Sequence, residues 1–281
     1  MTFSVSCKQN NSFTEKDDYV DVKENRIHVK TVGTGKPVVL IHGGFLDLRM
    51  WEEQVRPLIE SGYQVIRYSD VAHGATVNSG NTVFGYEVLH AVINHFGVDK
   101  AILVGHSGGA VHAVDFTLNY PDKVEKLILV SPGLNQWRFF NDTAAHAIST
   151  KGWEANQNGD TMLAAICFHR NWVLGPRRSN TDVQKDFFHS TRKMIFANMR
   201  THWNKPWSAV DTLQARERLH QINQSTLLIV GDEDVYDIRE IANVYNSNLL
   251  HSKMEVLQNA AHLIPWEYPK VFNTLLLGFI E

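Results

Sequence analysis

Residues 100–114 read KAILVGHSGGAVHAV, and they place one serine, Ser107, among small residues where an apolar run ends. The run is typical of a buried strand, and the residues after the serine return to an apolar helical pattern. One interpretation is a tight turn that required small residues. The other is chemical, because a serine hydroxyl becomes a nucleophile when a base takes its proton and a carboxylate orients that base. The rest of the chain must decide between the two.

Short apolar runs alternate with amphipathic helical patterns on both sides of this serine. The runs typical of buried strands are PVVLIH, YQVIR, AILVG, VEKLILV, STLLIVG and KMEVLQ, and patterns such as TVFGYEVLHAVINHF separate them. An antiparallel hairpin, YVDV followed by RIHVKTV, is expected before the first of them. Alternation of this kind predicts an α/β fold with a mostly parallel central sheet and helices on both faces. Pro57 is expected to kink or split the helix that contains it.

The alternation stops after VEKLILV and restarts at STLLIVG. The stretch between them has many aromatic residues and polar helical patterns but no comparable apolar strand. A helical insertion within one sheet domain explains this better than two tandem domains. We therefore expect a core formed by residues 19–133 and 222–281, a helical insertion over residues 134–221, and a polar N-terminal arm over residues 1–18.

The composition argues against several classes of protein. With 281 residues, of which 43% are hydrophobic and 20% charged, the chain can form a sizeable globular core. A formal net charge of −3 without a basic stripe argues against a nucleic-acid partner. No run reaches the ~20 apolar residues of a membrane span, and the N-terminus lacks the pattern of a signal peptide. We expect a cytoplasmic protein in which Cys7 and Cys167 are free thiols.

From about residue 19 to residue 280, the chain resembles the α/β-hydrolase family. The resemblance rests on the G-x-S-x-G motif at residues 105–109, between a strand and a helix, and on HGG at residues 42–44 after an earlier strand. The insertion also falls where that family carries a helical cap. The resemblance implies an esterase- or lactonase-like enzyme in which Ser107 is the nucleophile. Small neighbours are required in that family because backbone crowds the strained turn.

The family's order of catalytic residues is serine, then acid, then histidine. The acid should follow the strand TLLIV, where GDEDVYD offers Asp232, Glu233 and Asp234. The family's spacing matches Asp234 best. The resemblance also assigns the base to His262, in the loop NAAHLIPWEYP after the last strand. It implies structural hydrogen-bonding roles for His42, His73 and His106.

The same resemblance implies two backbone N–H groups that stabilise an oxyanion. One is the N–H of Gly108, directly after the nucleophile, and the second is that of Gly44, with Phe45 as the neighbouring possibility. One segment departs from the family. Where many relatives carry D-x-R-G-H-G-x-S, this chain reads DVAHGAT, with Val71 and Ala72 in place of the arginine and the first glycine.

A serine nucleophile limits the reaction to acyl chemistry. Haloalkane dehalogenases and epoxide hydrolases of this fold attack with a carboxylate, because water can open the resulting ester, whereas a serine ether would be a dead end. We expect hydrolysis of a small carboxylic ester or lactone with an apolar part, through an acyl-enzyme intermediate. Two alternatives stay open: a C–C bond hydrolase of ring-cleavage-type diketo acids, and a slow-turnover, receptor-like ligand-binding protein.

The insertion is expected to determine the choice of substrate. Most of its aromatic residues should form its own core, and a minority should face an apolar pocket. The candidates for substrate contact are Phe45, Trp137 and Phe140. No metal-binding spacing such as H-E-x-x-H occurs among the 14 histidines, so we expect neither a metal nor a cofactor.

Overall fold

Eight strands form one sheet in the computed structural model, which describes residues 14–137, 141–202, 208–209 and 214–281. The strands are β1 (Lys16–Val22), β2 (Asn25–Val32), β3 (Lys36–Ile41), β4 (Tyr63–Tyr68), β5 (Ala101–His106), β6 (Val124–Val130), β7 (Ser225–Gly231) and β8 (Ser252–Leu257). Their order across the sheet is β1-β2-β4-β3-β5-β6-β7-β8.

The sheet is parallel from β4 across to β8, and only the β1–β2 and β2–β4 pairs are antiparallel. Every residue of β5 is buried, as are the last four residues of β3, because helices cover both faces of the sheet. The continuous apolar runs are therefore buried strands, as the sequence predicted. The predicted mostly parallel sheet with helices on both faces is confirmed.

The helices follow the strands in alternation. They are α1 (Glu52–Glu60), α2 (Gly85–His95), α3 (Gly108–Asn119), α4 (Thr143–Gln157), α5 (Thr161–His169), α6 (Lys185–His202), α7 (Ala215–Arg218), α8 (Tyr236–Asn248), α9 (Ile264–Glu267) and α10 (Pro269–Ile280). Pro57 lies inside α1 without splitting it. Proline has no N–H to donate to the carbonyl of Glu53, and the side-chain amide of Asn273 donates to that carbonyl instead, at 2.9 Å.

Two hydrophobic cores lie on opposite faces of the sheet. Along β3, Val39 and Ile41 belong to one core and Val38 and Leu40 to the other, as the two-residue period of a strand requires. The first core includes residues of α2, α3 and α8, and the second includes residues of α1, α6 and α10. The fold is thus a three-layer α/β/α arrangement.

Between β6 and β7 the structure has helices α4 to α7, together with a π-helical turn at Arg170–Leu174. Ile195 and Met199 of α6 are buried in the second core, so this helical stretch is packed onto the sheet domain rather than standing apart. The boundaries predicted for the insertion, residues 134 and 221, stay a prediction.

The N-terminal part of the described chain enters the sheet earlier than expected. β1 begins at Lys16, within the arm predicted over residues 1–18, because backbone pairing with β2 lets an edge strand carry exposed polar side chains. Glu15 forms an ion pair with the buried Arg67 of β4. Cys167 is a free, buried cysteine, and Cys7 lies outside the described residues. Within the described ranges, no helix is long and apolar enough to cross a membrane.

Helix α3 begins where β3 and β5 end, and two glycines make that approach possible. A Cβ atom on Gly109 would lie 2.4 Å from the carbonyl oxygen of Ile41, and one on Gly105 would lie 2.5 Å from the carbonyl oxygen of Gly109. A Cβ on Gly108 would meet no atom within 4 Å. Backbone crowding therefore explains the first and last glycines of the G-x-S-x-G motif but not the glycine between them.

His169, at the end of α5, is buried against α6. Its Nε2–H donates to Thr191 Oγ1 at 3.1 Å, because the Thr191 hydroxyl itself donates to the carbonyl of Phe187 at 2.7 Å. The Phe188 ring lies edge-on to the imidazole, with centroids 4.9 Å apart. Burial lowers the pKa of His169 to about 4. The contact between these helices therefore depends on a neutral imidazole.

The Gly109→Ala variant should lower the free energy of unfolding by at least about 2 kcal/mol, because the new Cβ can be accommodated only by moving backbone. The Gly108→Ala variant is the matched control, and its change should stay within about 0.5 kcal/mol. Urea denaturation of both variants measures the difference. Equal stability of the two variants would contradict the crowding at Gly109.

His169 should make stability depend on pH. Its pKa falls from 6.5 to about 4 on folding, so the unfolded chain binds the proton more tightly. Stability is therefore lost as pH falls below about 6.5, by about 2 kcal/mol between pH 7 and pH 5. A glutamine at this position can still donate to Thr191 but does not titrate.

The free energy of unfolding of His169→Gln should accordingly fall less over this pH range than that of the wild type, by about 2 kcal/mol. The exposed His251, changed to Gln, serves as the control and should keep the wild-type pH dependence. If His169→Gln keeps that dependence too, the imidazole is not the titrating group.

Candidate active site

Ser107 occupies a strained turn between β5 and α3, with φ of +52° and ψ of −115°. A non-glycine residue in this conformation costs ~1–3 kcal/mol unless its surroundings hold it. They do so here, because its N–H donates to Val130 O and its carbonyl accepts from the N–H groups of Ala110 and Gly133, each at 3.0 Å. The turn is thereby fixed both to the neighbouring strand and to the start of α3.

Asp234 lies in the turn after β7 and is fully buried. Both of its carboxylate oxygens face the ring of His262, with Nδ1 at 2.9 Å from Oδ2 and 3.1 Å from Oδ1. The backbone N–H of Val235 donates to Oδ1 at 2.8 Å. Asp232 and Glu233, the other acids of this turn, are half-buried, and their N–H groups pair with the carbonyls of Leu257 and Ala260. Of the three acids, Asp234 is the one in contact with the predicted base.

His262 is buried in the loop between β8 and α9. The His106 ring donates from Nε2 to the carbonyl oxygen of His262 at 2.9 Å, and the two ring centroids are 4.8 Å apart. The Trp172 ring also packs against the ring of His262, with centroids 4.8 Å apart. Burial holds the pKa of His106 well below its usual value, so this ring remains neutral. The loop of His262 is thus held by a neutral donor and an aromatic contact.

Two other histidines hold the loop that follows β3. His42 donates from Nδ1 to Gly43 O at 2.8 Å and accepts from the N–H of Asp70 at 2.9 Å. Burial lowers the pKa of His42, in agreement with this neutral tautomer. His73 donates from Nδ1 to Val71 O at 2.9 Å. The hydrogen bonds of His42, His73 and His106 to backbone groups agree with the structural role expected for them.

The same loop distinguishes Gly44 from Phe45. The N–H of Phe45 donates to Nε2 of His73 at 3.1 Å, so that group is already engaged. Gly44, by contrast, lines the cavity in which Ser107 and His262 lie. Phe45 was also expected to contact substrate, but it is not among the described residues that line this cavity. Its ring packs edge-on against Phe168, which does line the cavity, with centroids 4.9 Å apart.

The cavity above Ser107 has a volume of about 380 Å³. Most of the side chains that line it are apolar, and they come from the core as well as from the helical stretch: Leu46, Val111, Leu134, Trp137, Phe168, Trp172, Ile238 and Leu263. Its polar lining consists of Ser107, His106, His262, Asn135 and Gln136. In the described part of the lining there is no lysine, arginine, aspartate or glutamate.

The structure thus brings Ser107, Gly108, Gly44 and His262 to one cavity, and Asp234 lies behind His262. Trp137, a candidate for substrate contact, lines the cavity, and its Nε1–H donates to Asp237 Oδ1 at 3.2 Å. Phe140 lies outside the described residues.

The sequence analysis did not identify several of the lining residues, and three of these closely follow a predicted site residue along the chain. Val111 lies one helical turn after Ser107, Ile238 lies one turn after Asp234, and Leu263 follows His262 directly. Proximity along the chain was the available signal, but it does not show which side chains turn toward the cavity. In the described ranges, no group of three or more histidine, cysteine, aspartate or glutamate side chains could hold a metal ion.

Two relatives in sequence are hydrolases of unsaturated keto acids. The chain is 26% identical, over 271 residues, to the 2-hydroxy-6-oxononadienedioate/2-hydroxy-6-oxononatrienedioate hydrolase of Klebsiella pneumoniae, covering 91% of each chain. It is 25% identical, over 274 residues, to the 2-hydroxy-6-oxo-6-phenylhexa-2,4-dienoate hydrolase of Burkholderia cepacia, again covering 91% of each.

A solved structure and a family model agree on the fold. An esterase of Exiguobacterium antarcticum superposes with a TM-score of 0.74 at 18% identity, covering 94% of this chain and 99% of the esterase. The family model described as alpha/beta hydrolase fold matches residues 36–269. On the strength of that match over most of its length, this chain belongs to the alpha/beta hydrolase fold family.

Proposed function

We propose that this protein is a serine hydrolase that cleaves a small, uncharged carboxylic ester or lactone through an acyl-enzyme on Ser107. The observation that supports this most is the contact of the buried Asp234 carboxylate with Nδ1 of His262, on a cavity that Ser107 also lines. A carboxylate bonded to Nδ1–H leaves Nε2 of the imidazole as the proton acceptor. That is the arrangement a serine nucleophile needs.

In the proposed reaction, Nε2 of His262 takes the hydroxyl proton of Ser107 as Oγ attacks the ester carbonyl carbon. Asp234 stabilises the imidazolium that forms. The tetrahedral intermediate then collapses, the bond to the leaving oxygen breaks, and His262 gives its proton to the departing alcohol. Water attacks the acyl-enzyme by the same route, with His262 as base, and releases the carboxylic acid and the free serine.

Two backbone N–H groups would stabilise the negatively charged oxygen of the tetrahedral intermediate. The N–H of Gly108 is the first, since it begins α3 directly after Ser107. Gly44 is the second, because it lines the cavity while the neighbouring Phe45 N–H is bonded to His73. Each donor of this kind contributes ~3 kcal/mol of transition-state stabilisation.

The cavity lining supports an uncharged substrate with an apolar part. Trp137, Phe168 and Trp172 provide aromatic surface, and the described lining has no cationic side chain that could pair with a carboxylate. Burying an unpaired carboxylate there would be costly. In this proposal the helical stretch over residues 134–221 acts as the cap, and residues 19–133 and 222–281 form the catalytic core.

C–C bond hydrolysis of a diketo acid is the second candidate, and the relatives from Klebsiella pneumoniae and Burkholderia cepacia favour it. Their names describe substrates that carry carboxylates. The same Ser107 and His262 could serve in that reaction, so the triad does not separate the two candidates. Because the described part of the lining has no lysine, arginine, aspartate or glutamate, the ester or lactone ranks first.

A substrate panel tests this ranking. The panel compares kcat/KM for p-nitrophenyl acetate, butyrate and octanoate, for simple lactones, and for vinylogous diketo acids. We expect the esters or lactones to have the highest kcat/KM. A higher value for a diketo acid would replace the first candidate by the second, and turnover of none of these compounds would favour a ligand-binding role.

Replacing the nucleophile should abolish activity without unfolding the protein. Ser107→Ala should lose up to ~10⁶-fold in kcat, the loss seen for the corresponding serine of a serine protease, while the melting temperature stays nearly unchanged. Ser131 is a matched control: it follows the neighbouring strand β6, also has a positive φ (+42°), and is not part of the cavity lining.

Ser131→Ala should keep wild-type kcat. The measurements are ester hydrolysis and labelling by a fluorophosphonate, which should modify the wild type at Ser107. If Ser107→Ala kept more than about a tenth of the activity, the nucleophile would have to lie elsewhere.

Replacing the acid should separate Asp234 from its neighbour in the same turn. Asp234→Asn should lower kcat by about 10⁴-fold, because the imidazole loses the partner that fixes its tautomer and stabilises its charge. Asp232→Asn should cost less than about tenfold, since that side chain does not touch His262. Steady-state kinetics on one activated ester decide the matter, and a greater loss in Asp232→Asn would reverse the assignment.

A further inference from the structure

The four residues that directly follow the π-helical turn are Gly175–Arg178. They lie against the loop that carries Asp234 and against the loop that carries His262. We call them the 175–178 segment. They belong to the helical stretch between β6 and β7, whereas Asp234 and His262 follow β7 and β8. The contact therefore joins the proposed cap to the two loops on which the proposed chemistry depends.

Arg177 makes the contact with the acid loop. Its guanidinium donates from Nη2 to the carbonyl oxygen of Asp234 at 2.9 Å and from Nη1 to Asp142 Oδ2 at 2.8 Å. The same Asp142 oxygen accepts the N–H of Tyr236 at 3.0 Å. Asp142 also caps the N-terminus of α4, where its side chain accepts from the N–H groups of Ala144 and Ala145. Arg177 thus ties the backbone of the acid itself to the first helix of the cap.

Arg178 makes the contact with the base loop. Its guanidinium donates from Nη1 to the carbonyl oxygen of Asn259 at 2.7 Å and pairs with Glu267 at 2.6 Å. Glu267 Oε2 in turn accepts the N–H of Ala261, the residue before His262, at 3.4 Å. Both charged side chains are more than nine-tenths buried, so this pair orders the loop on either side of the imidazole.

Gly175 lies between the two loops. A Cβ atom at this position would lie 2.4 Å from the carbonyl oxygen of Glu233 and 3.3 Å from Cβ of Ala261. Its φ of +84° and ψ of +148° form a combination that glycine alone adopts readily. A side chain here would push directly on the residues next to Asp234 and His262.

We infer that the 175–178 segment is a positioning element that sets the alignment of Asp234 with His262. The cap then contributes to the rate of the chemical step as well as to the choice of substrate. This inference rests on the proposed function, since it assumes that the pair acts on Ser107. A displacement of about 1 Å in such a pair can cost 10²-fold in rate, so a modest push from the segment is enough to be measured.

Two pairs of variants test the inference. Gly175→Ala is compared with Gly159→Ala, because Gly159 is in the same helical stretch and has a similar φ of +80° but no atom within 4 Å of its would-be Cβ. Arg177→Met is compared with Arg200→Met, since Arg200 is an exposed arginine of α6. Arg177→Lys keeps the charge and one of the two hydrogen bonds.

The readouts are kcat and KM on p-nitrophenyl butyrate, normalised to active sites titrated with a fluorophosphonate, and the melting temperature. We expect Gly175→Ala and Arg177→Met to lower kcat by about 10- to 100-fold with little change in KM. The two controls should keep wild-type kcat, and Arg177→Lys should recover part of the loss. A purely structural role would lower the melting temperature without changing kcat per titrated site.

Equal kcat for each variant and its control would overturn the inference, as would a rise in KM with kcat unchanged. Should Gly175→Ala fail to fold, the Arg177 variants decide alone. Failure of the proposed function is seen separately, in a wild-type protein that neither hydrolyses the ester nor reacts with the fluorophosphonate.

Discussion

The close approach of α3 to the ends of β3 and β5 is the constraint on which the rest of the site depends. Only glycine fits at positions 105 and 109, because a Cβ at either would lie within 2.5 Å of a backbone oxygen. That approach leaves one residue, Ser107, to make the turn at φ of +52°. The hydrogen bonds that hold the turn come from β6 and from the start of α3, so the strain is balanced by the packing of the sheet domain.

Parallel topology brings the remaining groups to the same place. The loops after β3, β5, β7 and β8 all leave the sheet at its carboxyl edge, which is where Gly44, Ser107, Asp234 and His262 lie. Buried histidines then fix two of these loops through their backbone: His73 at the loop after β3, and His106 at the loop after β8. Burial keeps the pKa of His106 well below its usual value, so this ring orders the loop of His262 without placing a positive charge beside it.

Much of this arrangement could be predicted from the sequence, and the parts that could not have a common physical cause. The sheet and the turn at Ser107 follow local patterns, namely apolar runs and a motif, whereas the pairing of Asp234 with His262 was implied by the resemblance to the family. The contacts of Arg177 and Arg178 could not be predicted in this way, because their acceptors are the backbone carbonyl oxygens of Asp234 and Asn259. Every residue has such an oxygen, so no residue type in the sequence marks these contacts. Likewise, the early start of β1 depends on pairing with β2, and the choice of Phe168 and Trp172 as lining depends on how the helices pack.

Rapid-quench mass spectrometry of the wild-type protein during turnover of p-nitrophenyl butyrate tests most directly whether Ser107 carries an acyl-enzyme. We expect an early burst of p-nitrophenol and a butyryl group on the peptide that contains Ser107, lost again as the ester is consumed. Turnover in which that peptide stays unmodified throughout, or in which the acyl group is found on another residue, would contradict this expectation.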